Sequence, residues 1–377
     1  MISILQICLY QLLILSPLTS AQLSEPCYGN VYCNCFQFSV NYKTYFCKKP
    51  STRGMVTLDV RHSDGITHAE IESFATFNHP DYHKLFIKLD EWRPFPVNLT
   101  ILYSALPNVP FIEVLENFDP RNTITHLTFT KAEPLPHSNA PPALQPNHFT
   151  LLRALVILNL SENKLEDLPE ELFADLDRLE TLLLNKNNIQ RLPTKLFEPL
   201  KNLKILNLSE NQLTVLSGKI FQNLLSLQVL NLNENKLKTL PTLIFSPLTQ
   251  LKDLKLANNN LTVLKTGVFR KLKNLIMLNL SGNKLNNLMK SVFSPLTELK
   301  YLELANNNMT VLKDGIFDNL KNLKTVNLDG NQLKPKSWLT QLGSRLQKAF
   351  KMVPEKKKTE DFVLSDPGAL STLRPCF

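Results

Sequence analysis

The sequence predicts an α/β solenoid, a stack of short coils with a parallel β-sheet on the concave side and an irregular convex side. Three observations predict it. From Leu155 onward the chain repeats every 24 residues, with Asn163, Asn187, Asn211, Asn235, Asn259, Asn283, Asn307 and Asn331 in one unbroken register. A phenylalanine keeps the same step at Phe173, Phe197, Phe221, Phe245, Phe269, Phe293 and Phe317. Charged residues make up 20% of the chain and hydrophobic ones 43%, enough to bury a core. A length of 377 residues would otherwise argue for two or three globular domains. A repeat array grows by stacking units, so length sets the number of coils instead.

The elements follow in chain order. Residues 1–21 read as a secretory signal: an apolar run from Ile2 to Leu15, then small residues in Ser16-Pro17-Leu18-Thr19-Ser20-Ala21, although the start lacks Lys and Arg. The run is too short for a comfortable transmembrane helix. The segment from Gly368 to Phe377 shows no anchoring signal, so the expected product is soluble and extracellular, with no membrane span.

Residues 22–53 form a cysteine-rich N-terminal cap. Cys8 leaves with the signal, and Cys27, Cys33, Cys35 and Cys47 crowd into C-x5-C-x-C-x11-C. In an oxidising compartment this reads as a knot of two disulfides. Zinc is the rival reading, disfavoured by the secreted context and by the lack of a C-x2-C pair. Cys376 is left over, which points to a free thiol or to a disulfide-linked partner or homodimer.

Residues 54–150 repeat poorly. Strand candidates lie near Lys84–Leu89, Phe111–Leu115 and Ile124–Phe129, but ten prolines between Pro94 and Pro146 interrupt any regular ladder. Asn139 and Phe149 stay in phase with the array, while Pro134 and Pro136 fall on its inward strand positions. The section is expected to continue the solenoid as longer, irregular coils.

Residues 151–333 are the regular array. Its first unit is Leu155-x-x-Leu158-x-Leu160-x-x-Asn163-x-Leu165, followed by Leu168-Pro169 and Phe173-x-x-Leu176. Leu-x-Leu makes a short strand with leucines inward and the intervening residue outward. Eight such strands span roughly 34 Å at the strand spacing of a sheet. The chain then turns inside the coil, where backbone groups cannot reach water. A repeating asparagine can satisfy those groups, each of which would cost about 1–3 kcal/mol if left unpaired. Stacked phenylalanines fill the wider convex side.

Residues 334–377 are the C-terminal cap and tail. Trp338, Leu342, Leu346 and Phe350 recur every four residues, an amphipathic helix able to close the open end of the core. Lys348, Lys351, Lys356, Lys357 and Lys358 give the densest basic stretch of a chain with formal net charge +9. They read as a solvated chain end, with attraction to sulfated glycan as the functional alternative.

L-x-x-L-x-L-x-x-N-x-L with a 24-residue period and F-x-x-L resembles the extracellular leucine-rich-repeat family, in its typical subclass. Similar arrays occur in Toll- and Slit-type ectodomains and in small secreted arthropod proteins. The resemblance implies a horseshoe with a disulfide N-cap and a capped C-terminus. In related N-caps the first cysteine pairs with the third and the second with the fourth, which implies Cys27–Cys35 and Cys33–Cys47. Related C-caps follow an Asn-Pro-Trp-like turn with two disulfides. Here Lys334-Pro335-Lys336-Ser337-Trp338-Leu339 keeps only an echo of that turn.

The period also assigns the outward positions. One column is Asn159, Leu183, Asn207, Asn231, Lys255, Asn279, Glu303 and Asn327; the other is Ile157, Thr181, Ile205, Val229, Asp253, Met277, Tyr301 and Thr325. Such a mixed, preformed sheet suits a protein partner. Ile205, Val229, Lys255, Met277, Tyr301 and Glu303 are the expected contacts; the plainer reading is a face selected for solubility. Glycosylation sequons stand at Asn98, Asn159, Asn207, Asn260, Asn279 and Asn308, and glycans at Asn159, Asn207 and Asn279 would shield part of this face.

Catalytic signatures are missing from the sequence: it has no phosphate-cradling glycine loop, His-Glu-x-x-His or Gly-x-Ser-x-Gly. His79 and His83 are spaced as on a helix but enclose Pro80, and packing histidines are commoner than metal ligands. The expectation is a secreted, non-enzymatic binding protein of immune or adhesion type, with no catalytic residues, metal or cofactor and an extracellular protein as partner, not nucleic acid. The alternative is a non-catalytic subunit that carries a secreted enzyme, as the leucine-rich-repeat subunits of carboxypeptidase N and of a shrimp luciferase complex do.

Overall fold

The computed structural model describes residues 110–111, 124–131 and 143–333 in full, and five earlier segments as strands alone. Those are β1 (Cys33–Ser39), β2 (Tyr42–Lys48), β3 (Met55–Ser63), β4 (Ile66–Ser73) and β5 (Asn98–Leu102). Strand β6 (His126–Thr130) leads into the three-residue strands of the array: β7 (Ile157–Asn159), β8 (Thr181–Leu183), β9 (Ile205–Asn207) and β10 (Val229–Asn231). Then come β11 (Asp253–Lys255), β12 (Met277–Asn279), β13 (Tyr301–Glu303) and β14 (Thr325–Asn327). All fourteen join one sheet in chain order. Strands β1 to β4 pair antiparallel, and from β4 onward every pair is parallel. The fold is a leucine-rich-repeat solenoid.

Each coil of the array is built the same way. Its two leucines, such as Leu230 and Leu232, are fully buried, while Val229 and Asn231 stay half-exposed. The ladder asparagine follows. Asn235 Nδ2 donates to Leu208 O of the previous coil at 2.9 Å and to Leu232 O at 3.3 Å, and its Oδ1 accepts from Leu213 N at 3.0 Å. Equivalent bonds run from Asn163 to Asn331. The residue before each ladder asparagine takes positive φ, from Glu162 at 61° to Asn306 at 53°. Glycine meets this demand without strain at Gly282 and Gly330.

Return segments between residues 143 and 333 are successive tight turns, with one 3-10 turn at Lys290–Val292. Phenylalanine rings stack behind them, with centroids 6.2 Å apart for Phe149 and Phe173 and 6.3 Å for Phe221 and Phe245. A two-coil rhythm overlies the 24-residue one. Pro199, Pro247 and Pro295 alternate with Asn223 and Lys271 in one column, and Val215, Val263 and Val311 recur every 48 residues on the opposite edge.

The earlier coils are longer. Register partners His68, Asn98, His126 and Ile157 are 30, 28 and 31 residues apart. The strand expected near Ile124–Phe129 is β6, and Pro134 and Pro136 lie outside the described residues. Phe111 is corrected: it does not open a strand but buries its ring against Phe149, with centroids 5.4 Å apart and planes 6° from parallel. It is one more ring of the convex stack, which the proline-broken phase concealed. The coil between β6 and β7 holds seven extra residues. Asn163 accordingly reaches Phe129 O across 34 residues, where Asn187 reaches Leu160 O across 27.

Cys33 and Cys47 are register partners across β1 and β2, and Cys35 faces Tyr45. Strands β3, β4 and β5 were not foreseen in the sequence. Cys27, Cys376, the Lys84–Leu89 candidate, Asn139, the pair His79 and His83, the expected C-terminal helix and the basic tail all lie outside the described residues.

Candidate functional site: the concave sheet

The first and third residues of each short strand form the concave surface. Leu183 and Thr181 are themselves nearly covered, at 8% and 7% exposure. From β9 to β13 the face opens. Ile205, Val229, Asp253, Met277 and Tyr301 are consecutive register partners in one column. Asn207, Asn231, Lys255, Asn279 and Glu303 run beside them in the second. The six expected contact residues therefore share one face of five adjacent strands.

Asp253 was not singled out in the sequence. It is the one carboxylate of its column, set between Val229 and Met277. Its Oδ2 lies 3.4 Å from Lys255 Nζ, while its Oδ1 is buried with no hydrogen-bond partner. Burial raises its pKa above 3.8, and the pull of Lys255 only partly opposes this. Glu303 is also raised by burial, against the hydrogen bond from Asn327 and with Asp329 adding repulsion. Among the described residues these are the two carboxyls with resolved displacements, and both lie on the concave face. Perturbed carboxyls mark candidate sites because evolution otherwise leaves such groups in water. The signal available in the sequence was a lone acid between apolar column neighbours.

The asparagines of the second column have a structural task. Oδ1 of Asn159, Asn207 and Asn279 accepts the backbone N–H of Ser161, Ser209 and Ser281 at 3.0, 3.1 and 3.0 Å. Asn231 and Asn327 make the same turn before Asn233 and Asp329, where no sequon exists. Asparagine is thus favoured here by the turn itself. Asn308 is exposed and Asn260 half-buried on the edge where the chain leaves the strands. Asn98 lies on β5.

Among the described residues no three His, Cys, Asp or Glu side chains are grouped to hold a metal. No helix among them is long and apolar enough to cross a membrane.

Comparison with known proteins agrees with the fold. The leucine-rich-repeat family model matches residues 137–189, 177–237, 201–261, 249–309, 283–333 and 297–344. No curated protein sequence matched the chain. Among solved structures, the TLR13–ssRNA13 complex is similar at 26% identity and TM-score 0.54, covering 65% of this chain and 40% of that one. The Toll–Spatzle complex of Drosophila is similar at 21% identity and TM-score 0.51, covering 80% and 48%. The chain thus spans less than half the length of either receptor chain. The overlapping family matches run continuously from residue 137 to residue 344, more than half of its 377 residues, and the chain belongs to the leucine-rich-repeat family.

Proposed function

We infer that this is a secreted, non-enzymatic recognition protein that binds another extracellular protein on the concave sheet between β9 and β13. The observation that carries this is the pair of desolvated carboxyls, Asp253 and Glu303, beside the half-exposed Met277 and Tyr301. Tyrosine is among the side chains enriched at binding hot spots, and desolvated charge beside it contributes specificity for a partner. The similar structures were solved with RNA in one case and with Spatzle in the other, and neither ligand transfers by likeness. The charge of this face argues against nucleic acid. Its two columns hold one cation, Lys255, against Asp253 and Glu303, whereas phosphate binding needs an excess of cations.

The cap is read as disulfide-bonded: the register of β1 and β2 supports Cys33–Cys47, and Cys27–Cys35 is what the family resemblance implies. Asn260 and Asn308, away from the concave columns, are the sequons at which a glycan leaves the proposed face free.

The test uses the secreted protein as immobilised bait for the extracellular fluid of its source, with any bound protein identified and titrated. Met277→Ala and Tyr301→Ala should each weaken binding about tenfold, equivalent to about 1.4 kcal/mol. Val215→Ala, at an exposed position on the strand-leaving edge, should leave binding unchanged. A partner that binds both concave variants as tightly as the parent would end this reading. A secreted enzyme retained in fixed proportion would favour the carrier alternative.

A further inference from the structure

The flank on which the chain approaches each strand carries an arrangement that the concave sheet does not explain. Residues 24 apart stand in columns there. One column reads Asp177, Lys201, Leu225, Thr249 and Lys273, and all five are exposed. Leu225 is 60% exposed, an isolated large apolar side chain between charged ends. Asp177 precedes it by 48 residues (225 − 177) and Lys273 follows it by 48 (273 − 225). The neighbouring column reads Asp175, Pro199, Asn223, Pro247 and Lys271. Its spacing is the same: 223 − 175 and 271 − 223 are both 48, with prolines midway on either side. The ends of both columns therefore carry opposite charge at equal distances from the coil 203–226, while Lys201, a cation on the acidic side, has the neutral Thr249 as its counterpart.

The whole coils follow suit. Coil 155–178 has seven acidic and two basic residues, and coil 251–274 has six basic and one acidic, so the imbalance extends beyond these columns.

The flank is stiff. Asn202, Asn223 and Asn274 each donate Nδ2 to a carbonyl of the preceding coil, at 2.8, 3.2 and 2.9 Å. Backbone bonds of 2.8 Å link Lys204 N to Glu180 O, Gln228 N to Lys204 O and Lys252 N to Gln228 O. No sequon lies among residues 174–178, 198–202, 222–226, 246–250 or 270–274, so glycans would not cover it.

We propose that this flank is a self-complementary interface, occupied by a second copy of the chain running antiparallel about a two-fold axis through the Leu225 coil. Such an axis lies in the interface and across the columns, so each column faces its own reverse. Leu225 then meets Leu225 of the second copy, Pro199 meets Pro247, Asp177 meets Lys273, and Asp175 meets Lys271. Every charged pair occurs twice. Lys204 and Lys252 would also face each other, but Lys204 is already neutralised by Glu180 at 2.7 Å. Asp175 keeps one oxygen on Leu151 N at 2.8 Å, which leaves the other for the partner. A linear polyanion is the rival occupant. It would use the basic coil and meet repulsion from the acidic coil, roughly 19 Å away at the spacing of adjacent strands. A second copy uses both.

The experiment is sedimentation equilibrium of the full secreted chain carrying Cys376→Ser, which removes any covalent dimer through that cysteine. A concentration-dependent dimer is expected, weakened by high salt because exposed pairs are screened. D177K and K273D should each lower the association constant about tenfold, since each reversal disrupts two pairs. Mixing the two folded variants in equal amounts should restore dimerisation. One then carries only cations at the two positions and the other only carboxylates. The double variant D177K/K273D should also self-associate. Monomers at every attainable concentration, or single variants that dimerise like the parent, would overturn the proposal. So would retention on a sulfated polysaccharide that K273D abolishes in a chain that never dimerises.

Discussion

Asn235 shows what one side chain does for this fold. It satisfies backbone groups of two coils at once, through Leu208 O, Leu232 O and Leu213 N, all beyond the reach of water. Asn235→Leu fits the space but strands those groups, and the expected loss is about 3 kcal/mol. Lys238→Ala, on the exposed surface, should stay within about 0.5 kcal/mol. Thermal melts decide the matter: equal midpoints for the two variants would mean that the ladder contributes nothing. Asp253 sets the opposite case, a group the fold would hold more comfortably without its charge. Its folded pKa is raised above 3.8, so the folded state keeps a proton that the unfolded state gives up. Stability therefore falls as pH rises from about 3.8 through the folded value, and is recovered on acidification. Asp253→Asn should raise the melting temperature at neutral pH and lose that advantage near pH 3.8. A gain that is constant across the whole pH range would rule out this origin.

At the scale of the coil, the phenylalanine stack ties the convex turns together. Phe245 lies 6.3 Å from Phe221 and 6.2 Å from Phe269, fully buried. Phe245→Ala should cost about 3–5 kcal/mol through the cavity it leaves. Coils contact only their neighbours, so the damage should be local. Amide exchange is expected to quicken in residues 203–274 and stay unchanged in 155–178, and uniform quickening would refute it. These coils were legible because each repeats the same solution, so Leu158, Asn163 and Phe173 explain all the later ones. Strands β3 and β4 pair locally, up to Ser63 and Ile66, and the Asp64-Gly65 between them was a hairpin signal that was passed over; β5 was not legible, since its partner on β4 is 30 residues away. Phe111 was misread because its coil has a different length, and only packing against Phe149 reveals its place.

Across the whole molecule, the sequence distinguished the inward from the outward face but not the character of the outward one. Ile205, Val229, Met277 and Tyr301 could be placed in a column by counting. The burial of Asp253 and Glu303 could not, because it depends on how closely the neighbouring columns pack over them. The two-coil rhythm of Pro199, Pro247 and Pro295 was visible in principle, yet a 24-residue frame averages it away.

The bond from Asn163 to Phe129 spans seven more residues than its counterparts, yet it closes at 2.6 Å. The array thus keeps its alignment through hydrogen bonding and not by counting residues. A ladder that closes in this way accommodates a change of length between Lys131 and Leu144, ahead of the buried Leu144 and His148, with the bonds of the following coils unchanged. The solenoid already contains, at that point, the splice site at which a new loop could be grafted onto it.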